Sequence, residues 1–365
     1  MMLRLLLIAA LVPIPAAAQG IPDLTLREEL RLGQGLNQGL TFTRVVSIVP
    51  RADGAFYVAD AAEKSVRLFA RDGRLLKVIG REGAGPGEFR ALESAGRWGD
   101  TLWVVDPQLR RVSLFSADGE FLKSLNTATI GGAQHTLQAI QGVAFIVQTR
   151  TYTGAGGTNH GADNAVVKFA YGAGTVDTIV TLKFGAGDWL YRATGATPFS
   201  VIYPNPFNDG SLFDANSKGG NLTVVNRIVA SGRTPTFEVV RLDATGKPEW
   251  SRRLPYTPQA IPATVKDSVT RTRAVAAIAT FPEHMPAVSR VVAGEDGSVW
   301  LRREELRPNR RSEWNVLDAS GRMIGRFETR RPLQIHAATA QYILVSVPDD
   351  DDVPLVIRYA IVPAR

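Results

Sequence analysis

The sequence predicts an all-β protein: a six-bladed β-propeller of four-stranded antiparallel blades, with a short helical insertion between blades four and five. Three observations carry that expectation. Two stretches align without a gap at an offset of 46 residues: Tyr57-Val58-Ala59-Asp60 on Trp103-Val104-Val105-Asp106, Val66-Arg67-Leu68-Phe69 on Val112-Ser113-Leu114-Phe115, and Asp72-Gly73 on Asp118-Gly119. A period of this length built from short Val, Ile, Leu and aromatic runs is the pattern of propeller blades. The chain has 365 residues, more than one compact core usually holds, and no cysteine to staple a smaller one.

The elements follow in order. Met1 to Arg4 is a short basic leader, Leu5 to Val12 an apolar run, and Ala16-Ala17-Ala18 supplies small residues at a cleavage position. Residues 1–18 therefore read as a secretory signal peptide, with cleavage before Gln19, and residues 19–365 as the propeller. Pro13 and Pro15 interrupt the apolar run well short of the ~20 residues a membrane span needs. Leu24 to Leu32 is a spare strand, expected to complete the last blade. Units one and two follow, each with an Asp-Gly pair read as a two-residue hairpin turn in which glycine supplies positive φ.

Later units are degenerate. Val143–Val147, Val166–Ala170 and Val176–Leu182 make the third, and Asn221–Val225, Glu238–Leu242 and a strand near Trp250 the fourth. Residues 258–280 form the insertion: Val265, Val269, Ala276 and Ile278 fall near helical spacing, with Thr264 as cap and Asp267 in the first turn. In the fifth unit Asp296-Gly297-Ser298-Val299-Trp300 repeats Asp53-Gly54-Ala55-Phe56-Tyr57, and the sixth, from Leu333 to Tyr359, ends one strand short.

Gly80-Arg81-Glu82-Gly83-Ala84-Gly85-Pro86-Gly87-Glu88-Phe89, set between two units, resembles the inter-blade connection of bacterial six-bladed propellers related to NHL-repeat proteins. The resemblance implies the fold. That family includes binding modules, lyases and lactonases, so it does not imply one function.

Chemistry is sparse in the sequence. The glycine-rich connection lacks a Gly-Lys-Ser/Thr ending and leads into a strand, which argues against a phosphate loop. Asp60 and Asp106 recur at one repeat position and read as acceptors for backbone N–H groups; Tyr57, Trp103 and Trp300 recur at another and read as packing between blades. Asp349 to Asp352 reads as a solvated hairpin tip, since it lacks the alternation and glycine of a calcium loop. The four histidines, His135, His160, His284 and His336, show no zinc-ligand spacing, and no Gly-x-Ser-x-Gly elbow is present.

The formal charge of +7 comes from dispersed arginine, which does not suggest nucleic acid as a partner. The expectation is an exported, periplasmic or extracellular, non-enzymatic propeller that binds an unknown protein or a small anionic ligand at the mouth of its channel, without a cofactor or bound metal. Candidate contacts are Arg44, Glu88, Arg90, Arg97, Glu283 and His284, arginine being suited to carboxylate or phosphate. The alternative is a calcium- or zinc-dependent lactonase or lyase with its site in the tunnel. The resemblance implies for a lactonase a Glu, an Asn and an Asp from different blades, residue types present as Glu88, Asn226 and Asp214 without a motif that fixes them.

Overall fold

The computed structural model describes residues 21–33, 40–127, 134–141, 144–150, 165–171, 176–183, 189–193, 200–216, 220–230, 235–273, 281–304, 312–330 and 333–364. The predicted leader and His160 lie outside these.

The chain enters on β1 (Leu24–Leu32) and lays down a complete sheet of β2 (Val45–Pro50), β3 (Phe56–Asp60), β4 (Ser65–Phe69) and β5 (Leu75–Ile79). The next holds β6 (Ser94–Trp98), β7 (Thr101–Asp106), β8 (Arg111–Phe115) and β9 (Phe121–Asn126), and a third β10 (Gln134–Gln141), β11 (Ala144–Arg150), β12 (Ala165–Ala170) and β13 (Val176–Thr181). A two-stranded hairpin not foreseen from the sequence, β14 (Trp189–Ala193) with β15 (Ser200–Pro204), precedes β16 (Leu212–Ala215), β17 (Leu222–Ala230), β18 (Thr236–Leu242) and β19 (Pro248–Pro255). The helix α1 (Ala263–Arg273) leads to β20 (Arg290–Ala293), β21 (Val299–Glu304), β22 (Ser312–Leu317) and β23 (Met323–Thr329). The last three strands, β24 (Gln334–Ala338), β25 (Tyr342–Pro348) and β26 (Pro354–Pro363), share a sheet with β1, which runs antiparallel to β26 from Leu24↔Pro363 to Leu32↔Val356.

Six four-stranded sheets thus form the ring, with β2, β6, β10, β16, β20 and β24 innermost. Counted from the sheet that receives β1, the helix lies between blades five and six. The sequence count of four and five assigned β1 to the end of the ring, whereas the chain begins in that sheet. The helix starts at Ala263, and its cap position is Pro262, two residues before the expected Thr264; the Pro262 carbonyl accepts from Val265 and Lys266. Thr264 is therefore inside it, and Asp267 is beyond a first turn that holds no acidic residue. Ala276 and Ile278 lie outside the described residues.

Apolar side chains fill the gaps between sheets. Tyr57 packs with Leu102, Val104 and Phe115 of the following sheet, Trp103 with Phe145 and Val147, and Trp300 with Ile343 and Val345. All three are at most 2% exposed, which settles their repeated occurrence as packing between blades. Tyr57 also donates its hydroxyl to the Ala117 carbonyl in the next sheet, at 2.5 Å.

The Asp-Gly hairpins have a different geometry from the one expected. At Ala70–Arg74 and Ser116–Glu120 only the glycine has positive φ, and it donates to the carbonyl three residues back while the strand ends pair across five residues. These are three-residue loops, a type I turn closed by a left-handed glycine, because the aspartate turns the chain in the ordinary right-handed region. The glycine is required twice at Gly246: φ is +88°, and a Cβ there would lie 2.4 Å from the Ile179 carbonyl oxygen of the preceding sheet. At the tip between β25 and β26, Asp352 takes the glycine's place at φ 61° while Asp349 accepts from Asp351 and Val353, each at 2.9 Å. The aspartate run thus forms a hairpin tip.

Candidate functional site

Because each sheet alternates up and down, its two Asp-Gly-type turns lie on one face of the ring, and its connection from the preceding sheet lies on the other with the β3–β4-type turn. On the connection face Asp60 acts as a lock. Fully buried, it accepts from Thr43 N at 2.8 Å, Arg44 N at 3.0 Å, Ala62 N at 3.1 Å and Glu63 N at 3.4 Å, tying the incoming chain to its own turn. Asp106 does the same with Arg90 N at 2.7 Å and Leu109 N at 2.9 Å. Both aspartates are committed to backbone donors, as expected.

The inner strands carry a polar belt. Asp214 in β16 accepts from Ala293 N of β20 at 2.7 Å, Arg290 in β20 donates to Ile335 O of β24 at 2.8 Å, His336 in β24 bonds the Val46 backbone of β2, and Ser47 in β2 accepts from Ala95 N of β6 at 3.0 Å. Each bond crosses from one blade to the next. Val46, Gln138 and His336 are the extra residues of β-bulges in β2, β10 and β24, and all three line the channel, a cavity of about 380 Å³. Bulges re-aim side chains, and sequence periodicity does not reveal them.

Charge in this belt is perturbed by burial. The Asp214 carboxyl is pushed up to about 6 by desolvation, against the lowering effect of the Ala293 N–H and of Arg290. Desolvation, then the Arg290 charge, brings His336 down to about 3, so its ring is neutral, 2.8 Å from the Ser346 hydroxyl. Burial also lowers the Arg290 pKa; Asp214 works against this and the nearby Arg302 charge reinforces it.

At the connection-face end, Arg290 and Gln334 also line a second cavity of about 420 Å³, together with Arg44, Arg302, Ser346 and an apolar side formed by Leu333, Val347, Pro348 and Pro354. This vestibule brings three arginines to one opening. Arg302 is held by a 2.9 Å bond from Nε to Ser289 Oγ. Arg44 is exposed, and its guanidinium has no hydrogen-bond or ion-pair partner among the described residues.

The six residues picked from the sequence do not form one site. Of them, Arg44 lines the vestibule. Arg97 is on the opposite face, near the β6–β7 turn, donating to Pro50 O at 2.7 Å and Gly99 O at 2.8 Å. Glu88 folds back on its own loop, accepting from Gly85 N and Arg81 Nε, each at 2.8 Å; the Gly85 N–H and then Arg81 hold its pKa below the usual range. Arg90 is at the connection entering β6, one blade round from Arg44. Glu283 and His284 lie beside the helix, where Ala260 bridges to His284 and where Val265 and Val269 pack with Phe207, Ile261 and Met285. Counting positions from strand starts finds equivalent sites in different blades, which the ring sets apart.

Arg290, Arg302, Gln334, Ser346 and Ser47 were missed, while Asp214 was named only as a residue type for the lactonase alternative and His336 only as a histidine without zinc-ligand spacing. Arg290 lies at the head of an inner strand in the clear fifth unit, and that placement was the available signal. Of the lactonase-type donors, Asp214 lines the channel, Asn226 is bound to Ser211 and Glu238, and Glu88 is in its loop. No three His, Asp or Glu side chains converge among the described residues, and beside Asp214 the cation position is taken by Arg290. The residues present do not fit such a metal set. Among the described residues no helix is long and apolar enough to cross a membrane.

Among the comparisons with known proteins, a family model over residues 42–138 supports the fold. No curated protein matches the sequence. Solved structures covering nearly all of the chain include a member of the DUF4221 family from Bacteroides vulgatus, at 12% identity and TM-score 0.49 over 94% of this chain and 100% of that one. A calcium-binding protein, regucalcin, from Agrobacterium tumefaciens gives 12% and 0.38 over 92% and 96%, and a streptogramin B lyase 12% and 0.41 over 94% and 98%. Residues 42–138, which include the glycine-rich connection on which the resemblance rested, match the family described as a 6-bladed beta-propeller.

Proposed function

We propose that this propeller is an exported, non-enzymatic binding protein whose vestibule takes the anionic group of a small ligand. The supporting observation is the meeting of Arg44, Arg290 and Arg302 at one cavity, where burial and then the Arg302 charge lower the Arg290 pKa against the pull of Asp214. Arginine's planar fork suits carboxylate or phosphate oxygens, and an anion there relieves the repulsion between the guanidinium groups. Export rests on the basic, apolar and small-residue order of residues 1–18.

The test is calorimetric titration of the mature chain with acetate and with inorganic phosphate at low salt. We expect one of them to bind, and Arg44→Ala to weaken it at least fivefold with an unchanged melting temperature, while Arg90→Ala, the equivalent change one blade away, has no effect. Equal effects of the two substitutions, or no binding of either anion, would remove the vestibule as the site.

A further inference from the structure

The vestibule is two-sided, and this narrows what it can hold. On one side stand Arg44, Arg290 and Arg302; on the other Leu333, Val347, Pro348 and Pro354. Leu333 and Val347 also line a neighbouring groove of about 420 Å³ between the β20–β23 sheet and the sheet closed by β1, where Leu24, Leu26, Phe327 and Tyr359 supply further apolar surface. A cationic wall and an apolar wall therefore meet at Leu333 and Val347, and apolar surface continues beyond them.

Building on the anion-binding reading above, we propose that the natural ligand is an organic monoanion with an apolar body, its carboxylate on Arg44 and Arg302 and its hydrocarbon part against Leu333, Val347, Pro348 and Pro354. An inorganic ion would leave the apolar wall wet, forgoing the roughly 25 cal/mol per Å² that its burial provides. A neutral hydrophobe would cover the Arg44 guanidinium, which has no partner among the described residues, without pairing its charge, and that is costly. The charge count favours a single negative charge. Asp214 already offsets Arg290 from the channel side, and the Ser346 hydroxyl and neutral His336 ring, bonded to each other, add hydrogen-bonding capacity without charge. The apolar wall exists because Val347, partly buried, holds the β25 position that Asp60 holds in β3.

The experiment is a calorimetric series on the mature chain with acetate, butyrate, hexanoate and octanoate, each as the free ion below its aggregation range, with hexanamide as the neutral match. The expected result is a Kd that falls about three- to fourfold per added methylene, the ratio for ~0.8 kcal/mol of burial. Hexanamide should bind at least tenfold more weakly than hexanoate. Val347→Thr, matched in shape, should flatten the chain-length dependence. Acetate and octanoate binding alike would overturn the apolar body while leaving the anion site intact. Hexanamide equalling hexanoate would overturn the charged contact. A Val347→Thr slope equal to that of the unaltered chain would put the hydrocarbon elsewhere and overturn the placement.

Discussion

The joints that carry an aspartate lock and the joints around the vestibule start from the same strand geometry and end differently. In the β2–β5 and β6–β9 sheets the residue opposite the head of the inner strand is Asp60 or Asp106, and every polar atom of that carboxylate is used on backbone N–H groups. At the equivalent register the β20–β23 sheet has Arg303, and the closing sheet has Val347. Arg303 turns to Glu313 at 3.3 Å, and the incoming chain is held there by Ser289 N on the Arg302 carbonyl at 2.8 Å in place of an aspartate. The aspartate thus belongs to two sheets of the six; the β16–β19 sheet has Asn226 at this register, bonded to the Ser211 and Glu238 side chains, and the two sheets at the vestibule have Arg303 and Val347.

The strongest way to break the comparison is to remove a lock. Asp60→Ala leaves four N–H groups inside the joint without their acceptor, and at about 1–3 kcal/mol for each group that stays dry, partly relieved by water, the expected loss is about 3–5 kcal/mol by urea unfolding. A loss below 1 kcal/mol would mean that the aspartate is not what closes the joint.

A second test acts on the open side through pH. The unfolded chain binds a proton at His336 near 6.5 and the folded chain only near 3, so stability falls as pH drops through that window. Asp214 acts in the opposite sense: its folded pKa of about 6 exceeds the ordinary 3.8, so its contribution is largest below 3.8 and is lost as pH rises through 6. His336→Gln should remove the acid-side loss, shrinking the stability difference between pH 7 and pH 4 by up to about 3 kcal/mol, less in so far as channel water reaches the ring. Identical pH profiles for variant and parent would show that the ring is not held neutral.

The smallest expected effect is on the face without locks. Gly246→Ala forces a positive φ on a side chain that must also displace the Ile179 carbonyl, and we expect a loss of about 2 kcal/mol, read as a lower melting temperature with unchanged anion affinity. Altered affinity would couple the two faces through the blades.

The ring was legible because its signals are local and repeated: Asp-Gly turns, the Tyr57, Trp103 and Trp300 positions, the lock aspartates. Those residues do the same job wherever they stand, so recurrence alone exposes them. The vestibule was not legible, since it depends on three arginines from β2's approach, β20 and β21 being brought together by ring closure, and on a departure from the repeat at Val347. Arg44 was picked for its equivalence to Arg90, yet what distinguishes the two is the neighbouring blade. The bulges at Val46 and His336 were hidden for another reason: an extra residue in a strand shifts every later side chain to the other face, and only pairing with the partner strand fixes where that happens.

The pairing of β1 with β26 sets an order in time. β1 pairs with the last strand of the ring, so until β26 is made Leu24, Leu26, Leu30 and Leu32 lack the strand they pair with. Closure must bridge more than 320 residues, a contact of the slowest class in folding. The groove between that sheet and β23 comes into being only at this final step, so the binding proposed for it waits on closure of the ring.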